Sequence, residues 1–256
     1  MKKRLIIIII VLLAVFSVSG TMAVKTISEN RQGAAIYEDS ESLAGTENLE
    51  TLQPEDGQEA VIPEAITETF KEINLAELRE KNEDVFGWIY IPGADISYPL
   101  LDGEDNEYYL THTWDKKWNH MGSIFLEQEC RADMSDFNTI IYGHNMKDTT
   151  MFSNLKKYMD GDFAESAPHI YIATEDGLRK YDIFAAYEVS VEGHAFWIKI
   201  EKENHKQSFI DEALKMSVIN TSVVPQTTDN IVTLATCTGK GHEKRLVVQA
   251  VLTAKH

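Results

Sequence analysis

A thiol and a guanidinium near the end of the chain are spaced so that they can act together. Residues 231–252 form two β-type runs joined by a polar loop, with Cys237 ending the first run and Arg245 opening the second. Alternate residues of a strand face opposite sides. An antiparallel hairpin with both apolar faces in the core therefore brings Cys237 and Arg245 out together on its outer wall. A neighbouring cation stabilises a thiolate, and it also hydrogen-bonds the oxyanion that forms when sulfur attacks a carbonyl.

The cysteine content favours a free thiol. The chain has only two cysteines, Cys130 and Cys237, whereas a secreted fold stapled by disulfides needs more of them at patterned spacing. Two alternatives stay open at this point. The two cysteines form a disulfide with each other, or Cys237 is an ordinary core residue, since a lone cysteine at a strand end is often just a small hydrophobic group.

One of the eight histidines differs from the others in context. His144 follows Gly143 at the end of the β-type run 139–142, and strand ends are where catalytic groups commonly lie. Solvation in polar segments explains five others: His112, His120, His194, His205 and His256. The sequence has no HxH or HExxH spacing, and two cysteines are too few for a thiolate zinc site, so we expect no metal.

The first 24 residues predict a membrane anchor. Lys2, Lys3 and Arg4 precede an uncharged run over residues 5–24, and a helix of about 20 residues spans roughly the 30 Å of the hydrocarbon layer. The basic residues favour a cytoplasmic N-terminus. We therefore expect a single-pass protein of the cell membrane, attached through residues 5–24, with the rest of the chain extracellular. A cleaved signal peptide is the alternative, because small residues at 17–23 suit a cleavage site.

The net charge of −17 comes mainly from one acidic segment. Residues 25–60 are polar and acidic with few large apolar side chains, a composition that buries too little surface to fold. The sequence thus predicts three parts: an anchor over 1–24, a flexible acidic tether over 25–60 and a folded domain over 61–256. An acidic surface also argues against nucleic acid as a partner, because phosphate attracts the opposite charge.

The folded domain is predicted to be mainly β. Its β-type runs occupy residues 87–91, 96–101, 123–129, 139–144, 169–174 and 178–191, followed by the hairpin 231–252. About eight short strands with few helices indicate a closed or nearly closed barrel. Helical segments are expected at 75–82, 151–159 and 201–218. Asn74 and Glu77 form a capping box at the start of the first of these helices.

Three motifs together resemble those of class B sortases. They are TLATC at 233–237, Arg245 at the start of the next β-type run, and YGHNM at 142–146. Further similar segments are NEDVFGWIYIPG at 82–93, DNEYYL at 105–110 and GSIFL at 122–126. The resemblance covers residues 74–255. It implies an eight-stranded sortase β-barrel with an N-terminal helix and a helix inserted before the strand that contains Cys237.

The resemblance also implies an activity, which is transpeptidation without a cofactor. Cys237 would attack a backbone carbonyl in the C-terminal sorting signal of another exported protein and form a thioacyl intermediate. His144 would protonate the departing amine and later take a proton from the incoming one, and Arg245 would stabilise the oxyanion. The acceptor would be an amine of a lipid-linked cell-wall precursor, so that the protein becomes joined to peptidoglycan.

The same resemblance nominates residues that bind the sorting peptide. They are Asn106, Leu110, Tyr142, Ala235 and Thr236. Ala235 stands where some class members have a hydroxyl residue, which removes one polar contact to the peptide. The loop TGKGHEK at 238–244 is short and basic, and its His242 is either a second base or a solvated loop residue.

Two other functions remain open from the sequence. A pilin-polymerising sortase would use the same catalytic residues but would accept a lysine of another subunit. A peptide-binding module tethered to the membrane would hold an extended peptide in the groove without reacting with it.

Overall fold

The structure is a computed structural model that describes residues 2–46, 49, 62–71, 73–238 and 243–256, with side chains from residue 19 onward. Within these residues, eight strands close into a barrel in the order β1-β2-β3-β4-β7-β8-β6-β5. The strands are β1 (Val85–Ile91), β2 (Ile96–Leu101), β3 (Ile124–Leu126), β4 (Asn138–Tyr142), β5 (His169–Thr174), β6 (Gly177–Ser190), β7 (Ile231–Cys237) and β8 (Lys244–Lys255). The predicted mainly β fold with an eight-stranded barrel is confirmed.

Two strand pairs set the geometry around Cys237. β7 runs parallel to β4, and the last pair in this ladder joins Tyr142 to Ala235. β7 also runs antiparallel to β8, with Cys237 directly opposite Arg245. The hairpin predicted over residues 231–252 is therefore confirmed, and β7 lies between β4 and β8 in the barrel wall.

The two faces of this hairpin bury different cores. Leu234 and Val248 belong to the main cluster inside the barrel, whereas Ala235 and Val247 belong to a second cluster on the outside. α5 (Glu203–Met216) covers the outer cluster and confirms the helix predicted at 201–218. It contributes three buried side chains, Phe209, Ile210 and Ala213. Full burial of an aromatic or large aliphatic side chain contributes about 1.5–3 kcal/mol, so this contact holds the helix on the barrel.

Buried hydrogen bonds fix the register of the outer face. Gln249 pairs with Thr233 across the hairpin, and its amide donates to the Thr233 hydroxyl at 3.0 Å. That hydroxyl donates in turn to Asn138 Oδ1 on β4 at 2.7 Å, and Tyr187 of β6 donates to Gln249 Oε1 at 2.9 Å. A slip by one residue would leave these groups unpaired at a cost of about 1–3 kcal/mol each. The network therefore holds four neighbouring strands in one register.

Short helices connect and precede the strands. They are α2 (Glu64–Lys71), α3 (Leu75–Lys81) and α4 (Gly161–Ser166). The cap predicted for α3 is confirmed, because Asn74 Oδ1 accepts from the Glu77 amide at 3.2 Å. The Glu77 carboxylate, however, accepts from the Asn74 side chain at 2.9 Å, whereas in a capping box it would reach the Asn74 backbone. The segment predicted as helical at 151–159 is a 3-10 helix, Phe152–Met159.

α1 (Lys2–Ala44) is the largest departure from the sequence-based expectation. Residues 25–44, predicted as part of a flexible tether, are helical. Tyr37 is buried with its ring edge-on to Tyr98 at 5.3 Å, and the Trp114 indole donates to the Ile36 carbonyl at 2.9 Å. A few apolar side chains are enough to order this segment because they pack against the barrel. The composition of the segment does not reveal these contacts with distant residues. The predicted tether beyond residue 46, apart from residue 49, lies outside the described residues.

The predicted membrane span is also corrected. The part of α1 with described side chains includes the charged residues Lys25, Glu29 and Arg31. Searched over the described residues, the structure has no helix that is both long and apolar enough to cross a membrane. This finding contradicts the expectation of a single-pass protein of the cell membrane, attached through residues 5–24, with an extracellular catalytic domain.

Candidate active site

Cys237 lies at the end of β7, level with the histidine that follows β4. The Gly143 amide donates to the Ala235 carbonyl at 3.2 Å, which continues the parallel ladder one step past the strand. Asn145 Nδ2 then donates to the Cys237 carbonyl at 2.7 Å, in the place of a further backbone bond. His144 lies between these two bonded residues. Because neighbouring strands are about 4.8 Å apart, the backbones of His144 and Cys237 are adjacent.

Arg245 flanks Cys237 on the opposite side. The two residues are directly paired in the β7–β8 ladder, and directly paired residues of an antiparallel ladder point to the same face. Ala235 and Val247, the pair two residues back, belong to the outer cluster. Cys237 and Arg245 therefore lie on the outer wall, as the alternation of the sequence predicts.

The two cysteines have different environments. Both are free, so the alternative of a Cys130–Cys237 disulfide is wrong. Cys130 is buried, and its Sγ lies 3.6 Å from the Asn138 carbonyl to which it donates. Burial raises the pKa of Cys130 to about 12, whereas Cys237 is partly exposed. A thiolate is the reactive form of cysteine, so Cys237 is the better nucleophile of the two.

His144 is held through one ring nitrogen. Its Nε2 is 2.7 Å from the Leu110 carbonyl oxygen. A carbonyl oxygen only accepts hydrogen bonds, so Nε2 bears the proton and Nδ1 is the nitrogen left to exchange protons. The His144 carbonyl accepts from the Phe152 amide at 3.0 Å, which anchors the backbone as well. A partly exposed imidazole with one nitrogen fixed is suited to general acid–base work.

Gly122 makes room for this histidine. It has φ of +62°, and a Cβ at this position would lie 3.0 Å from His144 Cδ2 and 2.8 Å from the Leu110 carbonyl oxygen. The Gly122 carbonyl accepts a hydrogen bond of 2.6 Å from the Tyr37 hydroxyl of α1. That hydroxyl also lies 3.1 Å from the Ser123 hydroxyl. The N-terminal helix thus supports the wall on which His144 rests.

Two charged residues change the pKa of Tyr142 in opposite directions. Burial raises the pKa of the Tyr142 hydroxyl well above its ordinary range, the Glu127 carboxylate adds to the rise, and the Arg245 guanidinium opposes it. Tyr142 Oη donates to Glu127 Oε2 at 2.8 Å. Tyr142 therefore remains a neutral hydrogen-bond donor to the Glu127 carboxylate.

The structure separates the five nominated peptide-binding residues into two groups. Asn106, Leu110 and Tyr142 are at least partly exposed, and the Leu110 carbonyl binds His144. Ala235 is 1% exposed because the outer cluster beneath α5 includes it, and Thr236 is 3% exposed on the inward face. Neither of these two offers an exposed side chain to a peptide. His242 and residues 239–241 lie outside the described part of the chain.

Sequence reasoning missed Glu127, which links two of the nominated residues. Its carboxylate accepts from Tyr142 and from Asn106 Nδ2, the latter at 2.7 Å. The only local signal is its position, since it directly follows the buried strand β3. An acidic residue there is expected to turn toward solvent, because glutamate is rarely buried unless it is paired.

Comparison with known proteins identifies the chain as a cysteine transpeptidase. A model of the sortase domain matches residues 89–253. Sortase B of Listeria monocytogenes serovar 1/2a (strain ATCC BAA-679 / EGD-e) is 32% identical over 254 residues, which cover 96% of this chain and 95% of that protein. The chain belongs to the sortase family, and its similarity to class B sortases extends over almost its whole length.

Solved structures show the same relationship. The Staphylococcus aureus sortase B–substrate complex superposes with a TM-score of 0.73 at 30% identity, covering 88% of this chain and 98% of that one. A sortase B complexed with triglycine gives a TM-score of 0.72 at 28% identity, covering 87% of this chain and 98% of that one. The resemblance noted from the motifs around Cys237 and His144 therefore extends to the whole fold.

Proposed function

We propose that this sortase cleaves a sorting signal at the C-terminus of another protein and transfers the released acyl group to an amine of a cell-wall precursor. Cys237 is the nucleophile, His144 the acid and base, and Arg245 the oxyanion stabiliser. The observation that supports these roles is the position of Cys237, level with His144 on one side and opposite Arg245 on the other.

Two similar structures support the choice of substrates. Staphylococcus aureus sortase B has been solved with a substrate, and a sortase B has been solved with triglycine. The free amino group of triglycine is the kind of nucleophile that a transpeptidase needs in its second step. By analogy, the acceptor of this protein is a primary amine on a peptidoglycan precursor.

The first step releases the end of the sorting signal. The Cys237 thiolate attacks the carbonyl carbon of the scissile peptide bond and forms a C–S bond. The oxyanion that develops is stabilised by the guanidinium of Arg245. The C–N bond then breaks, and protonated His144 gives the proton on Nδ1 to the departing amine. The products are a thioester on Cys237 and a free C-terminal peptide.

The second step passes the acyl group to the acceptor. The incoming amine attacks the thioester carbon while His144 Nδ1 takes a proton from its nitrogen. The C–S bond breaks, and the Cys237 thiolate leaves. The cycle exchanges one amide bond for another, so no oxidant, reductant or ATP is required. Water competes as acceptor and gives hydrolysis, so a partly desolvated groove favours transfer to the amine.

The test is incubation of the full-length chain with a library of fluorogenic sorting peptides, with and without triglycine. We expect cleavage of a small subset of peptides, and a ligated product by mass spectrometry when triglycine is present. Cys237→Ala should abolish both cleavage and the thioacyl adduct. Cys130→Ala is the matched control and should retain activity, because the Cys130 thiol is buried and bonded to a backbone carbonyl.

Three results would point elsewhere. Cleavage by Cys237→Ala at the wild-type rate would exclude the proposed nucleophile. Tight peptide binding by the wild type without any cleavage would indicate a binding module. Ligation to a lysine-bearing pilin peptide, with no product from triglycine or a peptidoglycan stem peptide, would indicate a pilin polymerase.

A further inference from the structure

Glu127 is a buried carboxylate that the mechanism above does not use. It follows β3 and is 8% exposed, and its amide donates to the Ile140 carbonyl at 2.9 Å. Burial of an unpaired charge is costly, so such groups are found with hydrogen-bonding partners. The partners of Glu127 therefore indicate what its side chain organises.

Two donors from different segments bind the two oxygens of this carboxylate. Asn106 Nδ2 donates to Oε1 at 2.7 Å, and Tyr142 Oη donates to Oε2 at 2.8 Å. Asn106 is fixed in turn because its Oδ1 accepts from the Gln128 amide at 2.9 Å. Glu127 thus ties the loop after β2 to the end of β4.

This cluster borders the proposed reaction site. Tyr142 is paired with Ala235, two residues before Cys237, and it precedes His144 by two residues. The side chain that Glu127 orients therefore belongs to the strand end that precedes His144 and pairs with the strand of Cys237.

The cluster has hydrogen-bonding capacity left for a ligand. Once Glu127 has accepted one hydrogen from each partner, Asn106 keeps a second N–H and the Tyr142 oxygen keeps its acceptor capacity. Both side chains are partly exposed. A donor and an acceptor held near each other complement the C=O and N–H groups of an extended peptide backbone.

We propose that Glu127 is a positioning residue that orients Asn106 and Tyr142 to bind the main chain of the substrate peptide beside Cys237. The inference rests on the proposed function, since it requires a peptide substrate. Glu127 acts through its two partners and does not contact the reacting atoms. Its loss should therefore weaken peptide binding and leave the reactivity of the thiol unchanged.

The test compares Glu127→Gln with Glu129→Gln in the full-length chain. Glu129 is exposed and pairs with Lys199 Nζ at 2.6 Å, so it controls for the loss of one carboxylate from the same segment. With the library peptide that the wild type cleaves fastest, Glu127→Gln should raise KM about tenfold, the effect of losing a charge-assisted hydrogen bond. Its kcat should change by less than about threefold, and Glu129→Gln should alter neither constant by more than about twofold.

A measurement without peptide separates positioning from structural damage. The rate at which iodoacetamide alkylates Cys237 should be the same in both variants and the wild type. An unchanged KM in Glu127→Gln overturns the proposal. A loss of kcat together with a slower alkylation of Cys237 also overturns it, because the variant would then have a damaged catalytic site. If Glu127→Gln does not fold, Asn106→Ala and Tyr142→Phe replace it, and a wild-type KM in both is then the refuting result.

Failure of the proposed function is distinguishable from failure of this inference. If the wild type cleaves no library peptide, the transpeptidase proposal fails on its own. The role of Glu127 is then decided by the affinity of the tightest-binding library peptide for the Cys237→Ala chain. Adding Glu127→Gln to that chain should weaken the affinity about tenfold, and an unchanged affinity overturns the inference.

Discussion

Replacing Gly122 with alanine tests how His144 is held. Gly122 has φ of +62°, a left-handed conformation that costs other residues about 1–2 kcal/mol. An added Cβ would lie 2.6 Å from the Tyr109 carbonyl oxygen, 2.8 Å from that of Leu110 and 3.0 Å from His144 Cδ2. Backbone oxygens do not swing aside as the ends of flexible side chains do, so overpacking adds about 1–3 kcal/mol.

The two contributions predict a loss of roughly 2–5 kcal/mol of stability. With a urea m value of about 3 kcal/mol/M, the unfolding midpoint should fall by roughly 0.7–1.7 M. Activity should fall further, because the new methyl group presses on both members of the His144–Leu110 hydrogen bond. A displacement of about 1 Å in a reacting group costs up to about a hundredfold, so kcat/KM of the folded variant should fall at least about tenfold.

Urea unfolding followed by tryptophan fluorescence gives the stability, and peptide cleavage below the unfolding transition gives the activity. Gly161→Ala is the matched control, since no atom lies within 4 Å of a Cβ at the start of α4. Its stability should equal that of the wild type or exceed it by up to about 1 kcal/mol. A wild-type midpoint for Gly122→Ala would refute the steric account. Lost stability with wild-type cleavage would refute the link to His144.

Two further predictions concern the thiols and an acidic residue of the barrel. Iodoacetamide near neutral pH should modify Cys237 in the folded chain and spare Cys130, because burial raises the pKa of the Cys130 thiol to about 12. Peptide mapping of the labelled protein checks this, and similar labelling of both cysteines would contradict it. Asp182→Asn should lower the thermal midpoint at neutral pH and approach the wild type on acidification. Burial alone would raise the pKa of Asp182, but the hydrogen bond and charge of His169, with the charge of Lys180, bring it below its usual value. The stabilisation that the Asp182 charge provides is therefore present above the unfolded pKa of about 3.9 and is lost as the pH falls through the lower folded pKa. If the difference in thermal midpoint between wild type and Asp182→Asn stays constant down to about pH 3, the charge of Asp182 is not the source of that stabilisation.

Most of the barrel follows from local patterns in the sequence. The alternation of apolar residues over 231–252 predicts the pairing of Cys237 with Arg245, and the structure has that pairing. The helix α3 begins where Asn74 can cap it. These features are predictable because a strand repeats every two residues and a cap involves residues only three apart.

The missed features depend on contacts between distant segments. Glu127 binds Asn106 and Tyr142, which are 21 and 15 residues away, and no local pattern marks its carboxylate as buried. Ala235 shares a face with Cys237 as alternation predicts, yet it is unavailable to a peptide because α5 covers that part of the face. Tertiary packing decides which part of a sheet a later helix covers. The alternation of apolar residues along a strand does not predict it.

The docking of α1 determines how much of the chain a working enzyme requires. Tyr37 donates to the Gly122 carbonyl that backs the proposed general acid, and Ile36 accepts from the Trp114 indole. A fragment cut just before the first barrel strand would lose both contacts, so the backbone behind His144 would lose its support from the helix. We therefore expect a truncated version to need a start upstream of residue 36 if it is to keep this support.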